Sequence, residues 1–225
     1  MATVVLHQWE ASPFCGKVRK VLNHKGIRFT VVNYNGLLAL KAKRLSRLGK
    51  LPVVDFDGER VQDSTDIVVF LEQRVPEPAV FPAEPSQRAL ACLLEDWADE
   101  SLYWFEAALR MTDAGARAKA TDLLCAGRPA WERIPFSIVV RHMYSRKLQT
   151  QGLGKFPASS IRERLLTHLT YVDALLADSP WLVGHSKSIA DIAVAAQLDE
   201  IVRTSTVGPS ILEMPRIADW LARCA

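Results

Sequence analysis

Near the start of the chain, Ser12-Pro13-Phe14-Cys15 places a hydroxyl and a thiol three residues apart. A short apolar run precedes this motif and a helical pattern follows it, so we expect the motif at the N-terminus of a helix. Unpaired backbone N–H groups and the helix dipole favour negative charge at such a position. The anion that this motif could stabilise is therefore a thiolate, supplied either by the protein or by a ligand.

Ser12 has two roles open to it. Its hydroxyl could donate a hydrogen bond to a bound thiolate and lower the pKa of that thiol from its free value of about 8.5. It could instead only cap the helix, which is a common use of serine at this position. Because serine stands where a Cys-x-x-Cys motif has its first cysteine, the disulfide cycle of such motifs is excluded here.

The second motif, Gly49-Lys50-Leu51-Pro52, comes directly before a strand pattern. Proline is tolerated at the first position of a strand, and the bond before it can be cis. A cis bond would turn the Leu51 N–H and C=O outward, where an extended peptide could pair with them as an added strand. This motif is therefore a candidate for binding a peptide backbone.

The third motif, Gln62-Asp63-Ser64, opens the helix that contains Ile67. Asp63 or Ser64 could act only as the cap of that helix. The same helix N-terminus also suits a bound carboxylate, because free N–H groups and the serine hydroxyl can both donate to it. Cap and ligand site both remain open from the sequence.

The fourth motif, Ser188-Ile189-Ala190-Asp191, has the spacing of a capping box, with aspartate in place of the usual glutamate. A capping box nucleates a helix by satisfying its first backbone N–H groups. We therefore expect a structural role for this motif and no catalysis.

Two halves with different patterns must position these motifs. Residues 3–75 alternate short apolar runs with helical spacing, and Asp57-Gly58 is typical of a two-residue hairpin turn. This half predicts the order β-α-β-(α)-β-β-α. In the second half apolar residues recur at helical spacing, and no strand signal follows Phe81. The sequence therefore predicts an α/β domain followed by an all-α helical domain.

Four prolines in residues 75–85 indicate the connection between the halves, because proline cannot continue a helix. We predict the first domain at residues 1–77, a proline-rich linker at 78–86 and the helical domain at 87–225. The segment 127–157, which is rich in Pro, Trp and Arg, is predicted only as partly helical.

The composition narrows the class of protein. A chain of 225 residues with 49% hydrophobic and 24% charged residues can bury a core of ordinary globular kind. Its net charge of +3 is too small to argue for a nucleic acid or a membrane surface as partner. No apolar run approaches the roughly 18 residues of a membrane span, and the first residues lack a secretory-signal pattern, so we expect a cytoplasmic protein. The four cysteines have no metal-ligand spacing, and we expect no metal.

In this order and spacing, the four motifs resemble those of the cytosolic glutathione transferase superfamily, and the likeness extends over nearly the whole chain. The resemblance implies a thioredoxin-like N-terminal domain that binds glutathione as co-substrate, and an all-helical C-terminal domain. Ser12 resembles the activating serine of the serine-type members, such as the theta and delta classes. The implied activity is attack of the glutathione thiolate on a small electrophile, as in detoxification, by a homodimer.

The resemblance also implies the residues that would bind glutathione. Leu51, beside Pro52, would bond the cysteinyl backbone, and the pair Asp63-Ser64 would hold the γ-glutamyl end. Lys50 is the candidate for the glycyl carboxylate, and Phe14 of the first motif is included among the binding residues. The sequence departs from the family pattern at Asp63, where a glutamate is usual, and this change shortens the reach of the carboxylate by one methylene.

A second-substrate pocket is expected between the two domains. Trp9 and Glu10 would form one wall of this pocket, and Tyr103 and Trp104 would form the other. Tyr103 and Trp104 could instead only pack in the core or in a dimer contact. Cys15 is expected to be a partly buried residue of the first helix and not the nucleophile, because family members with a catalytic cysteine usually carry it at the position of Ser12.

Two other functions remain open. A non-catalytic protein of the same fold could use its surface for interaction or assembly, and the basic, aromatic segment Arg128–Lys147 motivates this hypothesis. A glutathione-dependent thiol reductase would act through Cys15.

Overall fold

The computed structural model of the protein describes residues 2–225, apart from the side chain of Lys43. Its first half contains a four-stranded sheet built from β1 (Val4–Gln8), β2 (Thr30–Asn33), β3 (Val53–Phe56) and β4 (Glu59–Gln62). The strand order is β2-β1-β3-β4. β1 and β2 are parallel, whereas β3 is antiparallel to both β1 and β4.

The connections between these strands follow the predicted order. The remaining elements of this half are α1 (Pro13–His24), a 3-10 turn (Gly36–Lys41), α2 (Ala42–Leu45) and α3 (Ser64–Arg74). The hairpin between β3 and β4 turns at Asp57 and Gly58, whose φ angles of 49° and 86° are both positive, as a two-residue hairpin turn requires. The thioredoxin-like arrangement predicted from the sequence is confirmed.

The second half is helical throughout. Its elements are α4 (Pro85–Trp97), a π-helical turn (Ala98–Leu102), α5 (Tyr103–Thr112), α6 (Ala114–Leu124), a 3-10 turn (Ala130–Glu132), α7 (Arg133–Gln151), a 3-10 turn (Leu153–Lys155), α8 (Ala158–Leu175), α9 (Ile189–Thr204), α10 (Gly208–Leu212) and α11 (Pro215–Cys224). α4 begins at Pro85, inside the segment predicted as linker, because proline fits the first helical position and Glu84 caps it. Segment 127–157, predicted as partly helical, contains the long helix α7.

Helix α9 lies at the centre of the molecule, and most of its residues are buried. Its capping box forms as predicted: Asp191 accepts hydrogen bonds from the Ser188 N–H at 2.9 Å and the Ser188 hydroxyl at 3.0 Å. The other oxygen of Asp191 accepts from the Leu182 N–H and the Trp220 indole N–H, both at 2.8 Å. One buried carboxylate therefore ties α9 to the preceding loop and to α11.

Helix α1 packs directly on α9, and small residues allow the close approach. A Cβ placed on Gly16 would lie 3.6 Å from the Cβ of Ala196. Val18 and Val21 of α1 belong to the same hydrophobic core as Val194 of α9. The two halves of the chain therefore share one core, and the loop before α1 lies where they meet.

Candidate active site

The sheet topology brings the first three motifs to one place. β3 begins where β1 ends, since His7 pairs with Val53, and β4 ends there too, since Val53 pairs with Gln62. The residues just beyond these strand ends are the Ser12 loop, the Leu51–Pro52 segment and the start of α3. The three motifs, at residues 12–15, 49–52 and 62–64, thus lie at the same end of the strands.

Ser12 is the N-cap of α1. Its backbone is extended (φ −107°, ψ 124°), and its Oγ accepts a hydrogen bond from the Cys15 N–H at 3.4 Å. Pro13 follows at the first helical position, where its fixed φ suits the helix. The cap bond uses a lone pair of the hydroxyl and leaves its proton able to donate. Capping and thiolate binding are therefore compatible roles for Ser12.

Cys15 is completely buried, which corrects the expectation of partial burial. Its Sγ accepts from the Trp9 N–H at 3.4 Å. Burial raises the pKa of the Cys15 thiol, although hydrogen bonds from Ser12 and Trp9 act in the opposite direction. Because a nucleophilic cysteine needs an accessible thiolate, this environment favours a structural cysteine.

Hydrogen bonds to Gln62, the last residue of β4, hold the segment before β3. Gln62 accepts hydrogen bonds from the Ser46 hydroxyl at 2.6 Å and from the Leu48 N–H at 3.4 Å. The Leu51–Pro52 bond is cis, the form that the sequence had left open. Leu51 is half-buried, Pro52 is buried and Lys50 is exposed.

Asp63, and not Ser64, is the N-cap of α3: its Oδ1 accepts from the Thr65 N–H at 3.0 Å. Its φ of 73° lies in the left-handed region that a non-glycine residue rarely adopts. Such backbone strain concentrates at functional sites. Asp63 is exposed and Ser64 is buried at the first turn of the helix.

A buried lysine that the sequence did not single out supports the start of α3. The Lys17 ammonium lies 2.5 Å from Glu95 Oε1 and 2.5 Å from Asp99 Oδ2, and it donates to Thr65 Oγ1 at 3.2 Å. The π-helical turn carries Asp99 to this position, and such turns are frequent at functional sites. Burial raises the pKa of Asp99 to about 6, against the attraction of Lys17. This cluster links α1, α3 and α4 beneath the site.

A second buried ionic network holds the loop that carries Ser12. Arg110 of α5 donates through Nη1 to the Ala11 carbonyl at 3.2 Å. Its Nη2 lies 3.1 Å from Glu200 Oε2 and 2.5 Å from Glu106 Oε1. Sequence reasoning missed this guanidinium because, although Glu106 lies four residues away, Ala11 and Glu200 lie 99 and 90 residues away along the chain and follow no local pattern.

The carboxylates of this network are strongly perturbed. Burial raises the pKa of Glu106 to about 7, Arg110 opposes that rise and Glu200 adds to it. Burial also raises the pKa of Glu200. Arg203 extends the network, because it donates to Glu200 Oε1 at 2.9 Å and to Glu10 Oε1 at 2.8 Å.

The four residues predicted for the second pocket lie in four different surroundings. The Tyr103 ring lies 4.9 Å from the Phe14 ring, and its hydroxyl is 2.9 Å from that of Tyr144. Trp9 packs edge-on against Phe136 of α7 at 5.8 Å. Glu10 is engaged by Arg203, as described above. Trp104 contacts the Tyr103 ring at 5.1 Å but lines a cavity on the opposite side of α5.

Comparison with known proteins agrees with this arrangement. Models of the N-terminal and the C-terminal domain of glutathione S-transferases match residues 6–79 and 158–225. The chain belongs to the cytosolic glutathione S-transferase superfamily. The enzyme class expected from the sequence, glutathione transferase, is thereby confirmed, and its substrate belongs to the proposal below.

Individual members of the superfamily resemble the chain at modest identity. A glutathione S-transferase of Pseudomonas putida is 30% identical over 84 residues, which are 37% of this chain and 38% of that protein. The isoprene-epoxide–glutathione S-transferase of Rhodococcus sp. strain AD45 is 24% identical over 220 residues, covering 95% of this chain and 91% of that protein. The β-etherase LigF from Sphingobium sp. strain SYK-6 has the same fold, with a TM-score of 0.73, 22% identity, and coverage of 98% and 94% of the two chains.

None of the helices described for this glutathione transferase is both long and apolar enough to cross a membrane. The location of the protein stays a prediction, as does the assignment of Ser12 to the serine-type motif.

Proposed function

We propose that this protein binds glutathione at the edge of the sheet where its first three motifs meet, and that Ser12 activates the glutathione thiol. The observation that carries this proposal is the convergence itself. A hydroxyl at a helix N-terminus, a backbone segment able to pair with a peptide, and a second helix N-terminus lie at the ends of paired strands. These three features match the thiol, the backbone and the terminal carboxylate of a tripeptide.

Each part of the tripeptide has a partner in this proposal. The γ-glutamyl carboxylate accepts from the Ser64 hydroxyl and the first N–H groups of α3, while the Asp63 carboxylate pairs with the γ-glutamyl amine. The cysteinyl backbone pairs with Leu51 as an added strand. The exposed Lys50 reaches the glycyl carboxylate, and Phe14 packs beside the thiol.

The chemistry follows from the position of Ser12. The thiol releases its proton to solvent, and the resulting thiolate is stabilised by the Ser12 hydroxyl and the N-terminus of α1. The thiolate sulfur then forms a bond to an electrophilic carbon of the second substrate. The bond from that carbon to its leaving group, or to an epoxide oxygen, breaks with its electron pair. A halide departs as the anion, whereas the alkoxide formed from an epoxide takes a proton from water.

The second substrate would bind in a pocket lined by the aromatic side chains near Ser12. Phe14 and Tyr103 form one side, and Trp9 against α7 forms the other. Trp104 belongs to this pocket only through its contact with Tyr103. An epoxide is the first electrophile to test, since the relative from Rhodococcus that matches over most of the chain is named for isoprene epoxide.

Calorimetric titration with glutathione tests the binding site. We expect saturable binding to the wild type and affinity at least about tenfold weaker in Asp63→Ala, because the γ-glutamyl amine loses its carboxylate partner. Asp66→Ala is the matched control, since Asp66 is exposed in the first turn of the same helix. An Asp63→Ala variant that is folded and binds as tightly as wild type would contradict the assignment.

A non-catalytic protein that keeps the fold is the second candidate, and helix α7 favours it. Ile134, Ile138 and Val139 are 71%, 62% and 57% exposed on this helix, beside the exposed Arg141 and Arg146. Large apolar side chains grouped on a basic surface suit an interaction with another protein. Glutathione binding without turnover of chlorodinitrobenzene or any of a panel of epoxides would select this candidate.

The structure gives a thiol reductase little support, because Cys15 is buried with a raised pKa. Reduction of hydroxyethyl disulfide that is lost in Cys15→Ser would restore that hypothesis. A homodimer and a cytoplasmic location remain part of the proposal, and light scattering on the purified protein tests the first of these.

A further inference from the structure

Two hydrogen bonds join the loop after β2 to the loop before α7. The Asn35 side-chain amide donates through Nδ2 to the Ala126 carbonyl at 2.9 Å. The Leu37 N–H donates to Glu132 Oε2, also at 2.9 Å. We call this pair of hydrogen bonds the clasp, because it fastens the first half of the chain to the second.

Glu132 is the buried acceptor of the clasp. It is 2% exposed at the end of the 3-10 turn that precedes α7. Besides the Leu37 N–H, its carboxylate accepts hydrogen bonds from Arg128 Nε at 3.1 Å and from Arg128 Nη2. Burying a carboxylate is costly unless it has such partners, and hydrogen bonds to an ionised acceptor are among the stronger ones. The clasp is therefore more than a chance contact between two surface loops.

Gly36 allows the two loops to approach each other this closely. Its φ of 57° lies in the left-handed region, which glycine adopts without strain. A Cβ at this position would collide with the Glu132 carboxylate and lie 3.0 Å from Arg128 Cγ. Any larger residue would therefore push the loops apart.

The clasp reaches the residues that flank the proposed second-substrate pocket. Asn35 is 4% exposed, and its Oδ1 accepts from the Glu10 N–H at 3.3 Å, in the loop before α1. On the other side, Phe136 follows Glu132 by about one helical turn and packs edge-on against Trp9 at 5.8 Å. While the clasp is closed, the start of α7 cannot draw back from the loop before α1.

We propose that the clasp limits the size of the second-substrate pocket, and that Asn35 and Glu132 are positioning residues for its wall. This inference rests on the proposed function, because the pocket begins at the glutathione sulfur. It restricts the electrophile to compact molecules with a short carbon skeleton. Opening the clasp would let α7 move outward from Trp9 and would admit longer chains.

Calorimetric titration of the full chain with S-methylglutathione and S-hexylglutathione tests this limit. The alkyl group on the sulfur would lie in the second-substrate pocket, and each CH₂ group buried there would strengthen binding. We expect the wild type to gain less than about threefold in affinity from the longer chain, since the pocket has no room for it. In Asn35→Asp and Glu132→Ala, S-hexylglutathione should bind at least about tenfold more tightly than S-methylglutathione.

The variants separate the clasp from a general effect on stability. Asn35→Asp removes only the donor to the Ala126 carbonyl, and Glu132→Ala removes the acceptor of the second hydrogen bond. Glu132→Gln keeps an acceptor oxygen and should retain most of the wild-type behaviour. Asp122→Asn is the matched control, because Asp122 is exposed on α6 and pairs with the first residue of α7. A loss of stability alone would weaken both ligands alike, whereas release of the clasp changes the ratio of their affinities.

Gly36→Ala opens the clasp from the other loop. It should raise the ratio of the two affinities in the same direction, and it takes the place of Glu132→Ala if that variant does not fold.

Two outcomes would overturn the proposal. They are a preference of about tenfold or more for S-hexylglutathione in the wild type, and an unchanged ratio in Asn35→Asp, Gly36→Ala and Glu132→Ala. If glutathione itself binds normally, either outcome refutes the clasp and leaves the proposed function standing. If the wild type binds neither glutathione nor its S-alkyl derivatives, the proposed function fails and this inference fails with it.

Discussion

At the scale of single residues, the proposed function gives the Ser12 hydroxyl two roles. The oxygen caps α1 through a lone pair, so the cap bond does not use the proton, which a bound sulfur anion would share with the Cys15 thiol. Removing the hydroxyl should therefore lower both the stability of the protein and its catalytic rate. The loss of the helix cap should lower the free energy of unfolding by about 1 kcal/mol.

We predict that Ser12→Ala lowers kcat for chlorodinitrobenzene by about 10²-fold. This is the usual effect of removing one hydrogen bond that stabilises a reacting anion in an enzyme site. The bound glutathione thiol should also titrate at higher pH, which the thiolate absorbance near 240 nm measures. Ser12→Thr retains the hydroxyl and should keep most of the activity. Ser159→Ala, an exposed serine of α8, controls for the loss of a hydroxyl elsewhere. If the bound glutathione thiol titrates at the same pH in Ser12→Ala as in wild type, the serine only caps the helix.

Glu106 gives a pH dependence of stability at the same scale. Its pKa rises from 4.5 to about 7 on folding, so between these values the folded protein binds more protons than the unfolded chain. Stability contributed by the protonated carboxyl is complete below about pH 4.5 and is lost as the pH rises through 7. We predict that Glu106→Gln, which cannot ionise, flattens this decline and is the more stable protein at pH 8 by ~1–3 kcal/mol.

Urea unfolding at intervals from pH 5 to 8 measures this difference. Asp99→Asn serves for comparison, because the Asp99 carboxyl has a pKa of about 6 and should act over a lower range. Parallel stability curves for wild type and Glu106→Gln would contradict the prediction.

At the scale of elements, charged residues of α5 and α9 hold the loop before α1. Arg110 is buried between Glu106 and Glu200 while it bonds the Ala11 carbonyl. Removing one partner of a buried ionic group leaves uncompensated charge, which is far more costly than breaking a surface pair.

We predict that Arg110→Gln destabilises the protein by about 3 kcal/mol at pH 7. The double variant Glu106→Gln/Arg110→Gln should recover part of that loss, because it removes one of the two carboxylates. Arg216→Gln breaks an exposed pair with Asp173 and should cost less than about 1 kcal/mol. Urea midpoints at fixed pH compare the three variants. Equal losses in Arg110→Gln and Arg216→Gln would show that the buried network contributes no more than a surface pair.

A second prediction at this scale concerns the stability that the capping box of α9 contributes. Asp191→Ala leaves the Ser188, Leu182 and Trp220 donors buried without their acceptor. We expect a loss of about 3 kcal/mol or more, because each unsatisfied buried donor costs roughly 1–3 kcal/mol. Thermal unfolding measures the loss of stability. Asp219→Ala is the control, because Asp219 is exposed on α11 next to Trp220. A wild-type Tm in Asp191→Ala would contradict this role.

At the scale of the whole molecule, the two halves are joined by packing and by charge. α1 packs on α9 with a close contact at Gly16, and Lys17 of α1 lies between carboxylates of α4 and the π-helical turn. Separating the halves would expose this shared core and leave the Lys17 ammonium and its partners without compensation. The proposed site at their junction therefore depends on both halves.

We predict that the protein unfolds in one cooperative transition, with calorimetric and van't Hoff enthalpies that agree. Scanning calorimetry tests this directly. Two separate transitions would show that the halves fold independently and that their contact is weak.

Local signals in the chain were enough for several of the elements, whereas segment 127–157, which contains α7, was predicted only as partly helical. The Asp57-Gly58 turn, the capping box at Ser188 and Asp191, and the helix start at Ser12 each depend on neighbours within a few residues, so they could be predicted. The cap of α3 was left between Asp63 and Ser64, because both side chains can accept from the first turn and only the backbone geometry separates them.

Folding alone placed the groups that support the site. Arg110 meets Ala11, and Lys17 meets Glu95 and Asp99, across separations of roughly eighty to one hundred residues. No periodicity or capping rule relates positions so far apart, and the π-helical turn that brings in Asp99 has no local signature. The sequence gives the type of each side chain, but whether a buried charge has a partner depends on which helices pack together.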